Sequence, residues 1–142
     1  MFMSEYYHSL DTKGRLIIPQ KFRDQLGNEF ILSRGLDHCL YIYTQEEWEK
    51  FIEKLSTLPE LSNANGRKLN RFFIAGSIQC EVDKQGRVLI PASLREFASL
   101  EKEVVLAGVG KRIEVWNKNA WEDYNNFDDV EGIASSLEAF NI

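Results

Sequence analysis

The sequence predicts an α+β protein in which two small β modules share one chain and pack as a pseudo-dimer, with α-helices at their flanks. Three observations predict it. DTKGR at residues 11–15 returns as DKQGR at residues 83–87, and the strand-like runs, glycine turns and aromatic residues that follow each copy recur in the same order. A unit of about fifty residues with four short strands buries too little apolar surface to stand alone. Two such units in one chain can complete each other.

The alignment covers far more than a pentapeptide. HSLDTKGRLIIPQKFR (8–23) lies over CEVDKQGRVLIPASLR (80–95), with identities Asp11/Asp83, Gly14/Gly86, Arg15/Arg87, Ile18/Ile90, Pro19/Pro91 and Arg23/Arg95. EFILSRGLDHCLYIY (29–43) follows the first copy and EVVLAGVGKRIEVW (103–116) the second, one residue shorter. Trp48 and Trp121 then occupy matching places.

Each element has a local cause. SLD and EVD close short strands. Each Asp can accept hydrogen bonds from backbone N–H groups of the turn, and the glycine three residues later can take positive φ. LII and VLI restart a β-branched strand. Pro19 and Pro91, with φ fixed, suit the first position of a helix. QKFRDQLG and ASLREFA then give one or two helical turns, with Phe22 and Leu26, or Leu94 and Phe97, inward. Two strands follow in each copy, over residues 30–33 and 40–43 and over 104–107 and 113–116. A helix closes each copy. In the first, Trp48, Phe51, Ile52, Leu55 and Leu58 recur at spacings of three and four behind a Thr44 N-cap, with Glu46 and Glu47 in the first turn. In the second, Trp121, Tyr124, Phe127, Ala134 and Leu137 make a longer stripe interrupted by Gly132. Between the copies, Pro59 and LSNAN lead into GRKLNRFFIAG, a further helix with Arg67 and Arg71 one turn apart.

The net charge of −5 argues at first against a nucleic-acid partner, but its distribution reverses the argument. From Asn117 onward one base, Lys118, stands against six acids, which leaves residues 1–116 balanced at 16 bases and 16 acids. Residues 67–95 hold Arg67, Lys68, Arg71, Lys84, Arg87 and Arg95 against only Glu81 and Asp83. A phosphate backbone meets this local basic surface, not the global sum.

Several function classes are excluded. No run approaches the roughly 18 apolar residues a membrane span needs, and the N-terminus lacks the pattern of a secretory signal, so a cytoplasmic protein is expected. Cys39 and Cys80 are far apart among strand residues and read as buried thiols. With only His8 and His38 besides, no metal site and no cofactor is expected. His8, Ser9 and Asp11 do not make a triad, since strand alternation separates neighbours and the second copy has Cys80, Glu81 and Asp83 there. The chain is not expected to be an enzyme. The aromatic residues Tyr41, Tyr43, Trp48, Trp116 and Trp121 have the periodicity of core or interface.

Two readings stand for Arg15 and Arg87. Each can pair with the Asp four residues earlier and fix the turn, or offer its bidentate fork to phosphate and guanine. Both can hold, with Asp orienting Arg. Duplication of the loop favours a binding surface, with Lys13, Arg15, Lys84 and Arg87 on DNA and with Asp11, Gly14, Asp83 and Gly86 shaping the loops. Lys21, Arg23, Arg95, Arg67 and Arg71 form a second tier, read as DNA-facing or as interface residues.

These paired D-x-x-x-R motifs, each followed by a strand and Ile-Pro, resemble the MraZ family of bacterial transcription regulators. LDTKGRLIIPQKFR, SRGLDHCLYIY, RFFIAG, CEVDKQGRVLIP and RIEVW all take part, and the resemblance runs over nearly the whole chain. It implies AbrB-type swapped-hairpin modules, used twice: residues 5–58 with the first helix, a linker and helix at 59–76, a second module at 77–124, and an acidic C-terminal helix or tail at 125–142. It also implies a ring-shaped homo-oligomer associated with the nucleoid. That ring would bind tandem short repeats in double-stranded DNA upstream of the division and cell-wall gene cluster, through the two loops. Lys13 faces Gln85 and Thr12 faces Lys84, so the cations are not placed identically in the two copies. The competing reading is an oligomeric scaffold with incidental DNA binding, which would not require a repeated basic loop.

Overall fold

The computed structural model describes residues 1–141, so the last residue of the tail, Ile142, lies outside the described residues. The elements in chain order are β1 (Glu5–Ser9), β2 (Arg15–Ile17), α1 (Gln20–Leu26), β3 (Phe30–Arg34), β4 (Leu40–Thr44), α2 (Gln45–Ser56) and α3 (Ala64–Asn70). They continue with β5 (Ser77–Cys80), β6 (Arg87–Leu89), α4 (Ala92–Phe97), β7 (Glu103–Gly108), β8 (Ile113–Asn117), α5 (Lys118–Tyr124) and α6 (Val130–Ser136). The protein is a mixed α+β fold built on antiparallel sheet.

Six strands form one sheet in the order β1-β7-β8-β4-β3-β5, and β2 with β6 forms a separate ribbon. β4 and β8 pair at the centre, Leu40 opposite Val115 and Ile42 opposite Ile113. The first strand of each copy pairs with the third strand of the other: β1 with β7 and β5 with β3. In the ribbon, Arg15 opposes Leu89, Leu16 opposes Val88, and Ile17 opposes Arg87. The two copies therefore share every sheet.

Both faces of the large sheet are covered, which is why β3, β4 and β7 carry continuous buried runs instead of alternation. On one face lies a core of Leu16, Ile18, Phe22, Phe30, Leu32, Ile42, Val88, Ile90, Leu94, Leu106 and Ile113. It joins the sheet to the ribbon and to α1 and α4. On the other face Tyr41, Tyr43, Val105 and Trp116 pack with Leu55 and Phe73, and with the half-buried Trp48, Phe51 and Trp121. The five aromatic residues singled out in the sequence, Tyr41, Tyr43, Trp48, Trp116 and Trp121, sit in this second core. Cys39 and Cys80 are both buried, and burial pushes their thiols up, Cys80 to about 11.

Capping follows the local chemistry. Thr44 Oγ1 accepts from Glu47 N at 3.1 Å and starts α2. Pro19 and Pro91 sit one residue ahead of α1 and α4, and their carbonyls accept from Arg23 N and Arg95 N, both at 3.0 Å. GRKLNRFFIAG begins as α3 and widens into a π-helical turn over Arg71–Ala75. The second copy's closing stripe departs from the sequence expectation. It breaks into α5 and α6, with Tyr124, Phe127, Ile133 and Leu137 exposed, because the intervening residues 125–129 include two asparagines and two aspartates that favour turns. Among the described residues, no helix is long and apolar enough to cross a membrane.

Candidate nucleic-acid interface

Each repeated loop is held by its aspartate. Asp11 Oδ1 accepts from the backbone N–H groups of Lys13 and Arg15, both at 2.9 Å, while Oδ2 binds Arg15 Nε at 2.6 Å. Asp83 does the same with Gln85 N and Arg87 N at 2.9 Å and Arg87 Nε at 2.8 Å. Gly14 N and Gly86 N each return to the Asp carbonyl at 3.0 Å. The hydrogen bond from the Arg15 backbone, and then that from its side chain, hold the Asp11 carboxyl below the usual carboxylate range. Arg87 acts likewise on Asp83. Both carboxylates therefore stay ionised at neutral pH, but their charge is turned inward onto the loop.

The two arginines thus commit Nε to the loop, and their side chains remain 24–30% exposed. Among the described residues the terminal nitrogens of Arg15 make no protein hydrogen bond, whereas Arg87 Nη1 lies 3.8 Å from Asp11 Oδ2. The turn-fixing reading of these residues is what the geometry shows: each Asp–Arg pair closes its loop, and the Arg15 terminal nitrogens are left over.

The glycines are required twice over. Gly14 has φ +82° and Gly86 φ +77°, in the left-handed region. A Cβ on Gly14 would also meet the Arg95 guanidinium, and one on Gly86 would meet that of Arg23. Arg95 Nη1 donates to the carbonyl of Ile90, and Arg23 Nη2 to the side chain of Gln20. Each helix arginine therefore lies across the loop of the opposite copy. The same exchange appears in the backbone, where Ile18 N donates to Gly86 O and Ile90 N to Gly14 O, both at 2.9 Å.

The site is thus a ribbon of two three-residue strands with a loop at each end, spanning roughly 7–10 Å between loops at about 3.3 Å per residue. Lys13 and Lys84 are exposed at the loops; Arg15 and Arg87 lie on the ribbon's outer face, and Arg23 and Arg95 flank it. Lys21 is exposed on α1. Arg67 and Arg71 are not brought to this surface. Their segment packs Leu69, Phe72 and Phe73 into the core on the other side of the sheet, and Arg67 Nη1 binds Glu60 O at 2.7 Å.

Two features escaped the sequence reading. The contact of Arg23 and Arg95 with the opposite loop was signalled only by their being repeat identities alongside Gly14 and Gly86. Ile17 and Leu89, exposed on the outer face beside the arginines, were signalled by strict alternation in LII and VLI, whose first and third residues point inward.

Comparison with known proteins agrees with the duplication. The profile of the family described as "MraZ protein, putative antitoxin-like" matches residues 1–72 and again residues 73–136. The chain belongs to the MraZ family. Among its MraZ relatives, "Transcriptional regulator MraZ" of Caldanaerobacter subterraneus subsp. tengcongensis and that of Thermoanaerobacter sp. (strain X514) are each 52% identical, over the full length of both chains. The protein of the same name from Lachnoclostridium phytofermentans is 49% identical, covering 100% of this chain and 99% of its own. MraZ similarity thus extends through the acidic tail as well as the two loops.

Proposed function

We propose that the chain is a sequence-specific DNA-binding transcriptional regulator that grips double-stranded DNA with the β2–β6 ribbon and its two D-x-x-x-R loops. The observation that carries this reading is the convergence of both loops on one small ribbon, with their carboxylates tied inward and six cationic side chains around the outer face. Arg15 and Arg87 serve as the bidentate readers, and Lys13 and Lys84 as phosphate contacts. Asp11, Gly14, Asp83 and Gly86 hold the loops in shape, and Arg23 and Arg95 brace them from the opposite copy. The names of its relatives, transcriptional regulators without exception among those above, support the same class.

The reciprocal pairing of β1 with β7, β5 with β3 and β2 with β6 supports AbrB-type swapped-hairpin modules at residues 5–58 and 77–124. A footprint this small binds weakly alone, so the reading includes a homo-oligomeric ring that meets tandem short repeats, each contact adding through effective concentration. The repeats lie upstream of the division and cell-wall gene cluster, and the protein works on the nucleoid in the cytoplasm. The exposed apolar residues Phe127, Val130, Ile133 and Phe140 of the tail support contact with another copy.

The test is a salt titration on a duplex with two tandem sites recovered from a random pool by the protein itself. Affinity should fall linearly with the logarithm of salt concentration, with a slope of about −0.9 per phosphate neutralised. It should fall further when one of the two sites is scrambled. A flat titration, with equal binding to one site and two, would favour the scaffold reading.

A further inference from the structure

The outer face of the ribbon carries four side chains: Arg15, Ile17, Arg87 and Leu89. Leu16 and Val88, the middle residues, are buried in the core. Ile17 is 46% exposed and Leu89 56% exposed, so each leaves about half its surface in water beside a guanidinium. A single exposed aliphatic residue needs no explanation. Here there are two, at the same place in both copies, and the register sets them crosswise: Ile17 opposes Arg87, and Leu89 opposes Arg15. Directly opposed residues have Cβ atoms about 5 Å apart, so the two aliphatic and the two arginine positions alternate around one square.

A patch of this chemistry fits one kind of surface. A two-stranded ribbon enters the major groove of B-DNA, where guanine offers O6 and N7 and thymine offers its C5-methyl group. An arginine fork suits the first and an aliphatic side chain the second. Cβ atoms about 5 Å apart correspond to one or two base steps of about 3.4 Å.

We propose that Ile17 and Leu89 are specificity-determining residues that contact the C5-methyl groups of thymines next to the bases read by Arg87 and Arg15. The inference rests on the DNA-binding reading above and deepens it. On this account the ribbon reads composite steps, a guanine beside a thymine, once for each diagonal of the square. Charge complementarity commits the patch to DNA and not to an apolar protein surface: Lys13, Lys84, Arg23 and Arg95 surround it, and the two nearby acids, Asp11 and Asp83, are bound to arginines.

The experiment compares a selected duplex with the same duplex carrying deoxyuridine for every thymidine, a change that removes only the methyl groups. Binding of the wild-type chain should weaken about fourfold for each contacted methyl lost, the equivalent of one buried CH₂. Ile17→Ser with Leu89→Ser should bind the thymidine duplex more weakly and bind the two duplexes within about twofold of each other, since the partner of each methyl is gone. Ile17→Val with Leu89→Val keeps aliphatic contact and should retain part of the discrimination. Circular dichroism checks the fold, and a variant too weak to follow is measured at lower salt, where phosphate contacts hold the duplex. The inference is overturned if the wild-type chain binds both duplexes equally, if the serine variant keeps the wild-type ratio, or if the selected site has no thymine. Undiminished binding after Arg15→Ala with Arg87→Ala would instead overturn the DNA reading itself, so the two failures are distinguishable.

Discussion

The two loops of this protein have the same skeleton and different chemistry. In both, one aspartate accepts two backbone hydrogen bonds at 2.9 Å and ties the arginine four residues on through its Nε. The surroundings differ. Asp11 has a second cation, Arg87 Nη1, at 3.8 Å, and among the described residues Asp83 has no matching contact with Arg15. The arginine over Gly14 is tethered to the Ile90 carbonyl, whereas the one over Gly86 is tethered only to the exposed Gln20 side chain. The lysine stands at the third loop position in one copy and the second in the other. Duplication preserved what the turn needs, and left the outward groups free to diverge. The loops are equivalent as folds and inequivalent in where their cations stand and what those cations touch.

That contrast can be broken at its shared part. Gly14→Ala and Gly86→Ala each force a side chain into left-handed φ, at a cost of about 1–2 kcal/mol. Gly14→Ala should cost more, because Arg95 must also give up its backbone carbonyl. Urea denaturation of both variants checks the order, and equal losses would deny the tether any role.

The inequivalent part can be sharpened by exchange. Lys13→Gln should lower the slope of the salt dependence by about one, as expected for one lost phosphate contact, and Gln85→Lys should raise it by about one. Fluorescence anisotropy across a salt series measures both. No change in either would remove the third loop position from the interface.

The smallest effect concerns pH. Asp11 and Asp83 have folded-state values below the ordinary one of about 3.9, so their contribution is present above that value and is lost as pH falls through the depressed folded values. Denaturation midpoints should therefore be insensitive to these groups from neutral pH to about pH 5 and decline below about pH 4. The decline should be shallower in Asp11→Asn with Asp83→Asn. An identical decline in the double variant would mean that other carboxylates govern acid unfolding.

Much of this was legible in the residues. The repeat gave the elements of each copy, the Thr44 cap and the Asp–Arg turn, because these depend on groups within a few residues of one another. The partner of each strand was not legible, since alternation says which face a residue takes but not which strand lies beside it. β1 would suit β3 as well as β7 by composition. The bracing of each loop by Arg23 or Arg95 was hidden for the same reason, being a contact between copies. Arg67 and Arg71 looked similar to the loop cations in sequence, but the apolar Leu69, Phe72 and Phe73 beside them carry that segment to the other side of the sheet.

The central claim is that the two loop arginines together bind DNA. Arg15→Ala with Arg87→Ala, measured by fluorescence anisotropy on the selected tandem duplex, tests it most directly, with circular dichroism and light scattering to follow fold and assembly. Each bidentate contact contributes about 1–3 kcal/mol, so the double variant should bind at least about 25-fold more weakly with fold and oligomer intact. Wild-type affinity in a folded, assembled double variant would contradict the account.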